Sequence, residues 1–245
     1  MGLPDIPFEP QRRLRANRLC GAAAVSMVFR ALGIPCRQED VWGEIARPDR
    51  RGTRAARTCS LASAALERGL AALILQARRP WHVLQKAVEQ GVPVILNHRL
   101  ESNSPLGHYT VLLAADRRHA VIHDPSFGPR RRLTRRELLE LWRPSQGGCE
   151  IVGHVLVAIS RANLPSATCG ICGTLIPAEI ACPACARPVP LQPGSLLGCL
   201  RDHCPGRAWV RLFCPACDCA VLDSRPQARS KKYRTADRAR NPGGK

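Results

Sequence analysis

Cys20, His108 and Asp124 are the residues of this 245-residue chain whose types and placement suit nucleophilic catalysis. A cysteine attacks only as its thiolate, and the partial positive charge at a helix N-terminus favours that form. Residues 20–32 combine good helix formers with apolar residues at helical spacing, so they predict a helix with Cys20 in its first turn. The alternative for a lone cysteine at this position is a small, buried apolar residue.

His108 and Asp124 are predicted to meet at the open end of a β-hairpin. Residues 109–114 and 120–123 are short apolar runs typical of strands, and a charged turn around Asp116 joins them. Because His108 enters the first strand and Asp124 leaves the second, antiparallel pairing makes them neighbours. A carboxylate beside an imidazole can orient the ring for nucleophilic catalysis.

The elements that must hold these residues are predicted as helices followed by a meander of strands. Thr134 and Glu137 form a capping box, which indicates a helix from there to Trp142. Helices before strands indicate an α+β fold, in which helices pack on an antiparallel sheet. The remaining predicted helices span about 38–46, 59–68 and 81–90, and the remaining predicted strands span 70–76, 92–98 and 151–159.

Four segments around these residues carry a family resemblance: NRLCGAAA (17–24), GHYTVL (107–112), HDPSFG (123–128) and RLTRRELLELW (132–142). In this order they resemble the peptidase C39 family of papain-like cysteine proteases, over about residues 11–160. That family includes the bacteriocin-processing domains of peptide-exporting ABC transporters and also free-standing domains. The resemblance implies a papain-like fold in which Cys20 is the nucleophile, His108 the general base and acid, and Asp124 the residue that orients the imidazole.

The resemblance also implies an oxyanion donor and a class of substrate. Family members commonly carry a glutamine shortly before the nucleophile, at the position that Leu14 occupies here. Gln11 or Asn17 is therefore the candidate donor that would assist the backbone N–H of Cys20. The implied substrate is a peptide or protein that is cleaved after a double-glycine-like leader. A separate peptide transporter would then be the partner, and a different peptide substrate is the alternative.

Cysteines are concentrated towards the C-terminus, where nine of the thirteen lie between Cys169 and Cys219. Thiolates in CxxC pairs are typical ligands of structural zinc, which takes four of them in a tetrahedral shell. The spacing predicts two zinc ribbons that hold one structural ion each, with His203 or Cys219 as alternative ligands in the second. The predicted sets are Cys169, Cys172, Cys182 and Cys185 for the first ion, and Cys199, Cys204, Cys214 and Cys217 for the second.

Composition divides the chain into a peptidase-like domain at residues 1–162, tandem ribbons at 166–224 and a basic tail at 225–245. The net charge is +18, but the tail alone carries eight basic residues and one acidic residue, which predicts disorder there. Aromatic residues are only 4% of the chain, so the stacking on which single-strand nucleic-acid binders depend is poorly represented. Nucleic acid is therefore a weak candidate partner, and a partner protein is a stronger one.

No run approaches the roughly 18–20 apolar residues that a membrane span needs, and the N-terminus lacks the apolar region of a secretory signal, so the chain is expected to be soluble and cytoplasmic. In that reducing compartment CxxC pairs bind metal more often than they form disulfides.

These observations lead to two functional hypotheses. The first hypothesis is a cysteine peptidase whose ribbons recruit a substrate or partner. The second is a non-catalytic adaptor that binds protein or nucleic acid through the ribbons and tail.

Overall fold

The computed structural model describes residues 2–14, 17–48, 54–143, 151–162 and 167–223, so the predicted tail lies outside the described residues. Within these ranges no helix is long and apolar enough to cross a membrane. The helices are α1 (Cys20–Ala31), α2 (Gln38–Ile45), α3 (Thr58–Leu66), α4 (Pro80–Glu89), α5 (Arg135–Trp142) and α6 (Gly194–Leu197). The strands are β1 (Arg13–Leu14), β2 (Asn17–Arg18), β3 (Ala46–Pro48), β4 (Arg54–Ala56), β5 (Leu70–Ala77), β6 (Val94–Arg99), β7 (Gly107–Ala115), β8 (His119–Asp124), β9 (Gly128–Thr134), β10 (Val155–Arg161), β11 (Ala167–Thr168), β12 (Leu175–Ile176), β13 (Glu179–Ala181), β14 (Pro188–Pro190), β15 (Trp209–Phe213) and β16 (Ala220–Asp223).

Eight strands form one antiparallel sheet in the order β16-β15-β5-β10-β6-β7-β8-β9. Helices α1, α2 and α3 pack on one face, and α4 and α5 pack on the other. Side chains alternate along β5, so Leu73 and Leu75 enter the core beneath α4 and α5, while Ala72 and Ile74 enter the core beneath α1 and α3. Because both faces of β5 are covered, its sequence is almost uniformly apolar. The predicted α+β class is confirmed.

The predicted hairpin forms from β7 and β8. Val111 pairs with His123 and Leu112 pairs with Ile122, and a bulge follows Leu112. The carboxylate of Asp116 closes the turn, because its Oδ1 accepts the backbone N–H groups of the second and third residues after it at 2.6 and 2.7 Å. This register places the start of β7 and the end of β8 at the same edge of the molecule.

Strand β9 has no counterpart among the predicted strands. It is an edge strand of the large sheet, and within the described residues it pairs with β8 alone. Three consecutive arginines, Arg130 to Arg132, interrupt the apolar alternation on which strand prediction depends. Charged side chains are common on edge strands, where they oppose pairing with a second chain, so the position of β9 explains its composition.

The cysteine-rich segment continues the same sheet. Its strand β15 pairs antiparallel with β5, and β16 pairs with β15 at the sheet's end. Trp209 is fully buried in the core beneath α4 and α5, and its Nε1 donates to the backbone carbonyl of Cys199 at 3.0 Å. Residues near the end of the chain therefore complete the hydrophobic core of the preceding fold.

Candidate active site and metal sites

Cys20 is the first residue of α1, and its side chain is buried. Gly21 allows this end of the helix to approach the sheet closely. A Cβ on Gly21 would lie 3.2 Å from Cδ2 of Tyr109 and 3.2 Å from the Cβ of Ala56, which is tighter than ordinary van der Waals contact. Since Tyr109 directly follows His108 in β7, the missing Cβ brings the thiol to the strand that carries the imidazole.

His108 contacts both other members of the predicted constellation. Its Nε2 lies 2.7 Å from Oδ1 of Asp124, and its ring also forms a hydrogen bond with the side chain of Cys20. Because Asp124 occupies Nε2, Nδ1 is the ring nitrogen that remains for the sulfur. Both His108 and Asp124 are buried. The structure therefore brings together the three side chains that the sequence singled out.

Asp124 is held by donors from the turn that follows it. Its Oδ1 accepts the backbone N–H groups of Ser126 and Phe127 at 3.0 and 3.3 Å, and its Oδ2 accepts from Nη1 of Arg131 at 2.9 Å. Burial alone would raise the pKa of Asp124, but the hydrogen bond to His108 and these donors outweigh it and lower the pKa to about 2. The carboxylate is therefore ionised and fixed in orientation at neutral pH.

The environment keeps His108 protonated. Burial by itself lowers the pKa of His108, but the hydrogen bonds to Asp124 and Cys20 outweigh it and raise the pKa to about 9. The buried imidazolium has the Asp124 carboxylate on one side and the Cys20 sulfur on the other. This arrangement favours a thiolate–imidazolium pair, in which the sulfur is nucleophilic and the ring can donate a proton.

His98 is a buried neighbour that the hairpin pattern did not single out. It pairs directly across the sheet with His108, and the two ring centroids are 5.6 Å apart in an edge-to-face arrangement. Its Nδ1 donates to the carbonyl of Arg99 at 2.6 Å, and its Nε2 accepts from Thr110 Oγ1 at 3.0 Å. Burial, aided by the positive charge on His108, lowers the pKa of His98 to about 4, so this ring stays neutral beside its charged partner. Only the register of β6 on β7 reveals this contact.

The two predicted oxyanion donors are Gln11 and Asn17. The Nε2 of Gln11 donates to Ser126 Oγ at 2.7 Å, and its backbone N–H donates to the carbonyl of Pro125 at 3.0 Å. Gln11 therefore sits on the turn that carries Asp124. The side chain of Asn17 lies outside the described residues. Participation of either in an oxyanion hole stays a prediction.

Eight cysteines form two groups, each placed to hold one metal ion. They are the eight that the spacing predicted, but the predicted grouping is wrong, because each observed group takes two cysteines from each of the two predicted sets. His203 and Cys219 belong to neither group among the described residues. The first group is Cys169, Cys172, Cys199 and Cys204, and the second group is Cys182, Cys185, Cys214 and Cys217.

Hairpin geometry explains the interleaved order. Strands β11 and β12 pair around the first CxxC turn, and β13 and β14 pair around the next, so consecutive turns lie in separate two-stranded sheets.

In each of the three CxxC turns the residue after the second cysteine has a positive φ and donates its N–H to the carbonyl of the first cysteine. These residues are Gly173, Ala186 and Asp218, with N···O distances of 2.9, 2.9 and 3.0 Å.

The sulfur positions fit a tetrahedral metal shell. The closest sulfur pairs within each group lie 3.5–3.7 Å apart, far beyond the roughly 2.05 Å of a disulfide. A tetrahedron with metal–sulfur bonds of about 2.3 Å has edges of about 3.8 Å. Backbone N–H groups also point at the sulfurs of Cys169, Cys199 and Cys214, which is favourable for thiolates. The donor set and spacing therefore suit a thiophilic divalent ion.

A helix-borne cysteine that faces a histidine and a carboxylate on an antiparallel sheet is the arrangement of the papain-like cysteine peptidases. Residues 3–149 match the model of the Peptidase_C39 like family, which is more than half of the chain. The protein belongs to that family. A search of curated proteins finds no match.

Among the solved structures that resemble this chain, one with a TM-score above 0.5 supports the same fold. A putative C39-like peptidase from Bacillus anthracis is 16% identical with a TM-score of 0.52, and the match covers 66% of this chain and 98% of that one. A double glycine motif protease from an AMS/PCAT transporter, in complex with the leader peptide, is 21% identical with a TM-score of 0.46, covering 66% and 95%. The peptidase domain of Streptococcus ComA, a bifunctional ABC transporter, is 16% identical with a TM-score of 0.48, covering 64% and 99%.

Proposed function

We propose that this protein is a cysteine peptidase that hydrolyses a peptide bond through Cys20, His108 and Asp124. The observation that carries the proposal is that the imidazole of His108 forms hydrogen bonds with both the sulfur of Cys20 and the carboxylate of Asp124, and that all three side chains are buried. Membership of a peptidase family supports the same reaction class. The substrate would be a peptide or protein, with leader-peptide processing as the family's precedent.

The reaction would proceed by two transfers of the acyl group. The Cys20 thiolate attacks the scissile carbonyl carbon, and the carbonyl electrons move to oxygen. As the tetrahedral intermediate collapses, the C–N bond breaks, the protonated His108 donates its proton to the leaving amine, and a thioester remains on Cys20. Neutral His108 then takes a proton from water, and the hydroxide attacks the thioester carbon. The C–S bond breaks, the acyl product leaves as a carboxylic acid, and the Cys20 thiolate remains beside the protonated ring.

Two further roles belong to this proposal. Asp124 would hold the imidazole with Nε2 towards the carboxylate and stabilise its protonated form. The backbone N–H of Cys20, assisted by Gln11 or Asn17, would donate to the oxyanion. Gln11 is favoured by its attachment to the turn after Asp124.

The two cysteine groups would each hold a structural zinc ion. Zinc supplies folding free energy to small thiolate-rich segments, and a shell of four cysteines has no open position for substrate. The twelve cysteines that the structure describes form no disulfide, so the eight of the two groups can serve as thiolate ligands. The ribbons would then serve to recruit a partner protein, a separate peptide transporter or the substrate.

Alkylation with a fluorescent iodoacetamide at limiting concentration tests the thiol chemistry. Cys20→Ala should remove the fast-labelling site and all peptide hydrolysis. Cys36→Ala is the matched control, because burial raises the pKa of the Cys36 thiol and makes it a poor nucleophile. If fast labelling persists in Cys20→Ala, the peptidase proposal fails and the non-catalytic adaptor is the better account.

A further inference from the structure

A pocket of about 360 Å³ lies beside the His108–Asp124 pair, between the β6–β7 loop, β9 and α5. Phe127 connects this pocket to the reacting groups. Its ring lies edge-to-face with that of His108, with 6.5 Å between the centroids, and its backbone N–H donates to Asp124 at 3.3 Å. A side chain bound in the pocket would therefore contact the ring of Phe127, which in turn contacts the imidazole of His108.

Four of the nine residues that line the pocket are apolar, namely Leu100, Phe127, Leu133 and Leu141. Phe127 is 52% exposed, which is unusual for a phenylalanine and leaves one of the largest apolar surfaces of the described residues open to solvent. An exposed aromatic ring over an apolar floor is suited to the aliphatic part of a bound side chain.

Three carboxylates border the same pocket, and one of them is uncommitted. Glu137 accepts the N–H and hydroxyl of Thr134 at 2.7 Å in the capping box of α5, and Glu140 pairs with Arg143 at 2.8 Å. Glu101 is exposed and forms no ion pair with the part of the chain that the structure describes. In a protein with 37 basic and 19 acidic residues, an unpaired carboxylate at the mouth of an apolar pocket favours a cationic ligand.

Arg131 is the one cation among the lining residues, and its charge is already engaged. Its Nη1 donates to Asp124 at 2.9 Å, and its guanidinium lies 4.8 Å from the centre of the Phe127 ring. It therefore forms the inner wall, next to the buried carboxylate that neutralises it. Among the charged lining residues, Glu101 is the one with no ion pair or side-chain hydrogen bond to the part of the chain that the structure describes.

We propose that this pocket is a specificity subsite for a lysine or arginine side chain of the peptide substrate. The aliphatic stem would lie against Phe127 and Leu141, and the cationic head would reach Glu101. Lysine and arginine suit such a site, because they bury their stems on apolar surface while the charged group stays near water. The subsite rests on the proposed peptidase function, and it adds a substrate class that a glycine-directed cleavage site would not require.

A positional-scanning library of internally quenched peptides, cleaved by the full-length protein, tests the subsite. At one position relative to the scissile bond, lysine or arginine should give a higher kcat/KM than norleucine or glutamate. Glu101→Gln should lower the ratio of kcat/KM for lysine to that for norleucine about threefold, and Glu101→Lys should lower it about tenfold. Glu179→Lys is the matched control, because Glu179 is an exposed carboxylate outside the pocket and should leave the ratio unchanged.

Binding separates failure of the subsite from failure of the peptidase proposal. Fluorescent peptides that differ only by lysine or norleucine are titrated against the Cys20→Ala variant and its Glu101→Lys derivative. Tighter binding of the lysine peptide that Glu101→Lys removes supports the subsite even without hydrolysis. Equal binding of the two peptides, or an equal change of the ratio in Glu179→Lys, overturns it. Persistent fast alkylation of Cys20→Ala bears only on the peptidase proposal.

Discussion

The peptidase-like part and the cysteine-rich segment position their reactive side chains by different physical means. Cys20, His108 and Asp124 come from a helix and two strands packed between extensive apolar cores, and their exposed fractions are 6%, 2% and 0%. In contrast, three members of the first cysteine group, Cys169, Cys199 and Cys204, form a small buried cluster of their own among the described residues. A large core orients polar side chains by packing, whereas a segment with little apolar surface needs a ligand to order it.

The second cysteine group lies between these extremes. Cys182 and Cys214 belong to the main core, together with Trp209. The turn after β15 also contacts α3 directly, since Ser63 Oγ donates to the carbonyl of Pro215 at 2.8 Å. The second group thus contributes directly to the main core, while the first lies outside that core and is joined to it through Cys199, whose carbonyl accepts from Trp209. The two metal sites should therefore differ in how strongly they affect the active site.

The largest difference is expected between Cys214→Ser and Cys169→Ser. Loss of a ligand in the second group should lower the free energy of unfolding by ~3 kcal/mol or more and slow the alkylation of Cys20, because β15 pairs with β5 within the large sheet. Loss of a ligand in the first group should lower the metal content per chain but leave that alkylation rate unchanged. Thermal unfolding, elemental analysis and alkylation kinetics measure the three quantities.

Cys219→Ser is the control for these variants, because Cys219 belongs to neither metal group. It should retain both metals and the alkylation rate. Equal slowing of Cys20 alkylation by Cys169→Ser and Cys214→Ser would contradict the distinction between a site that shares the main core and one that lies outside it.

Asp124→Asn tests the peptidase-like part of the chain, whose reactive side chains are positioned without a metal ion. Removal of the carboxylate charge should lower the pKa of His108 from about 9, because the hydrogen bond to Asp124 is the strongest influence that raises it. The imidazolium is the proton donor and is lost as pH rises through its pKa, so the alkaline limb of kcat/KM should move from near pH 9 towards neutrality. The rate itself should fall about 10²- to 10⁴-fold.

The same variant has a signature in stability. The raised pKa of His108 means that its contribution to the free energy of unfolding is fully present below pH 6.5 and is lost as pH rises through about 9. Asp124→Asn should remove most of this dependence, which denaturant titrations at the two ends of that window would detect. An alkaline limb and a stability profile that both stay in place would show that Asp124 does not control the imidazole.

The smallest effect is expected from Ser63→Ala, which removes one hydrogen bond between the two regions. The free energy of unfolding should fall by about 1 kcal/mol, while the pH profile of kcat/KM stays the same. Ser63→Thr keeps the hydroxyl and should restore most of the loss. A shift of the pH profile in Ser63→Ala would mean that the junction acts on the active site and does more than join the regions.

Local patterns were sufficient for helices α1 to α5 and for five strands of the large sheet. The helix that begins at Cys20, the capping box of Thr134 and Glu137, and the β7–β8 hairpin are all present in the structure. Each depends on residues close together in the chain, so spacing and turn chemistry predict it. Strand β9 escaped prediction because its arginines are set by its place at the sheet edge, and β15 because its partner β5 lies more than a hundred residues away.

The sequence by itself determined which residues can do chemistry, because helix starts, hairpin ends and CxxC turns are local features. It thereby selected Cys20, His108 and Asp124, and it selected all eight cysteines of the two groups. Only the tertiary structure decided which cysteines lie close enough together to hold one ion, that His98 and Arg131 flank the site, and that Glu101 borders a pocket beside Phe127. These contacts join segments distant in the chain, and packing of the whole sheet and its helices, which no local spacing encodes, brings them together.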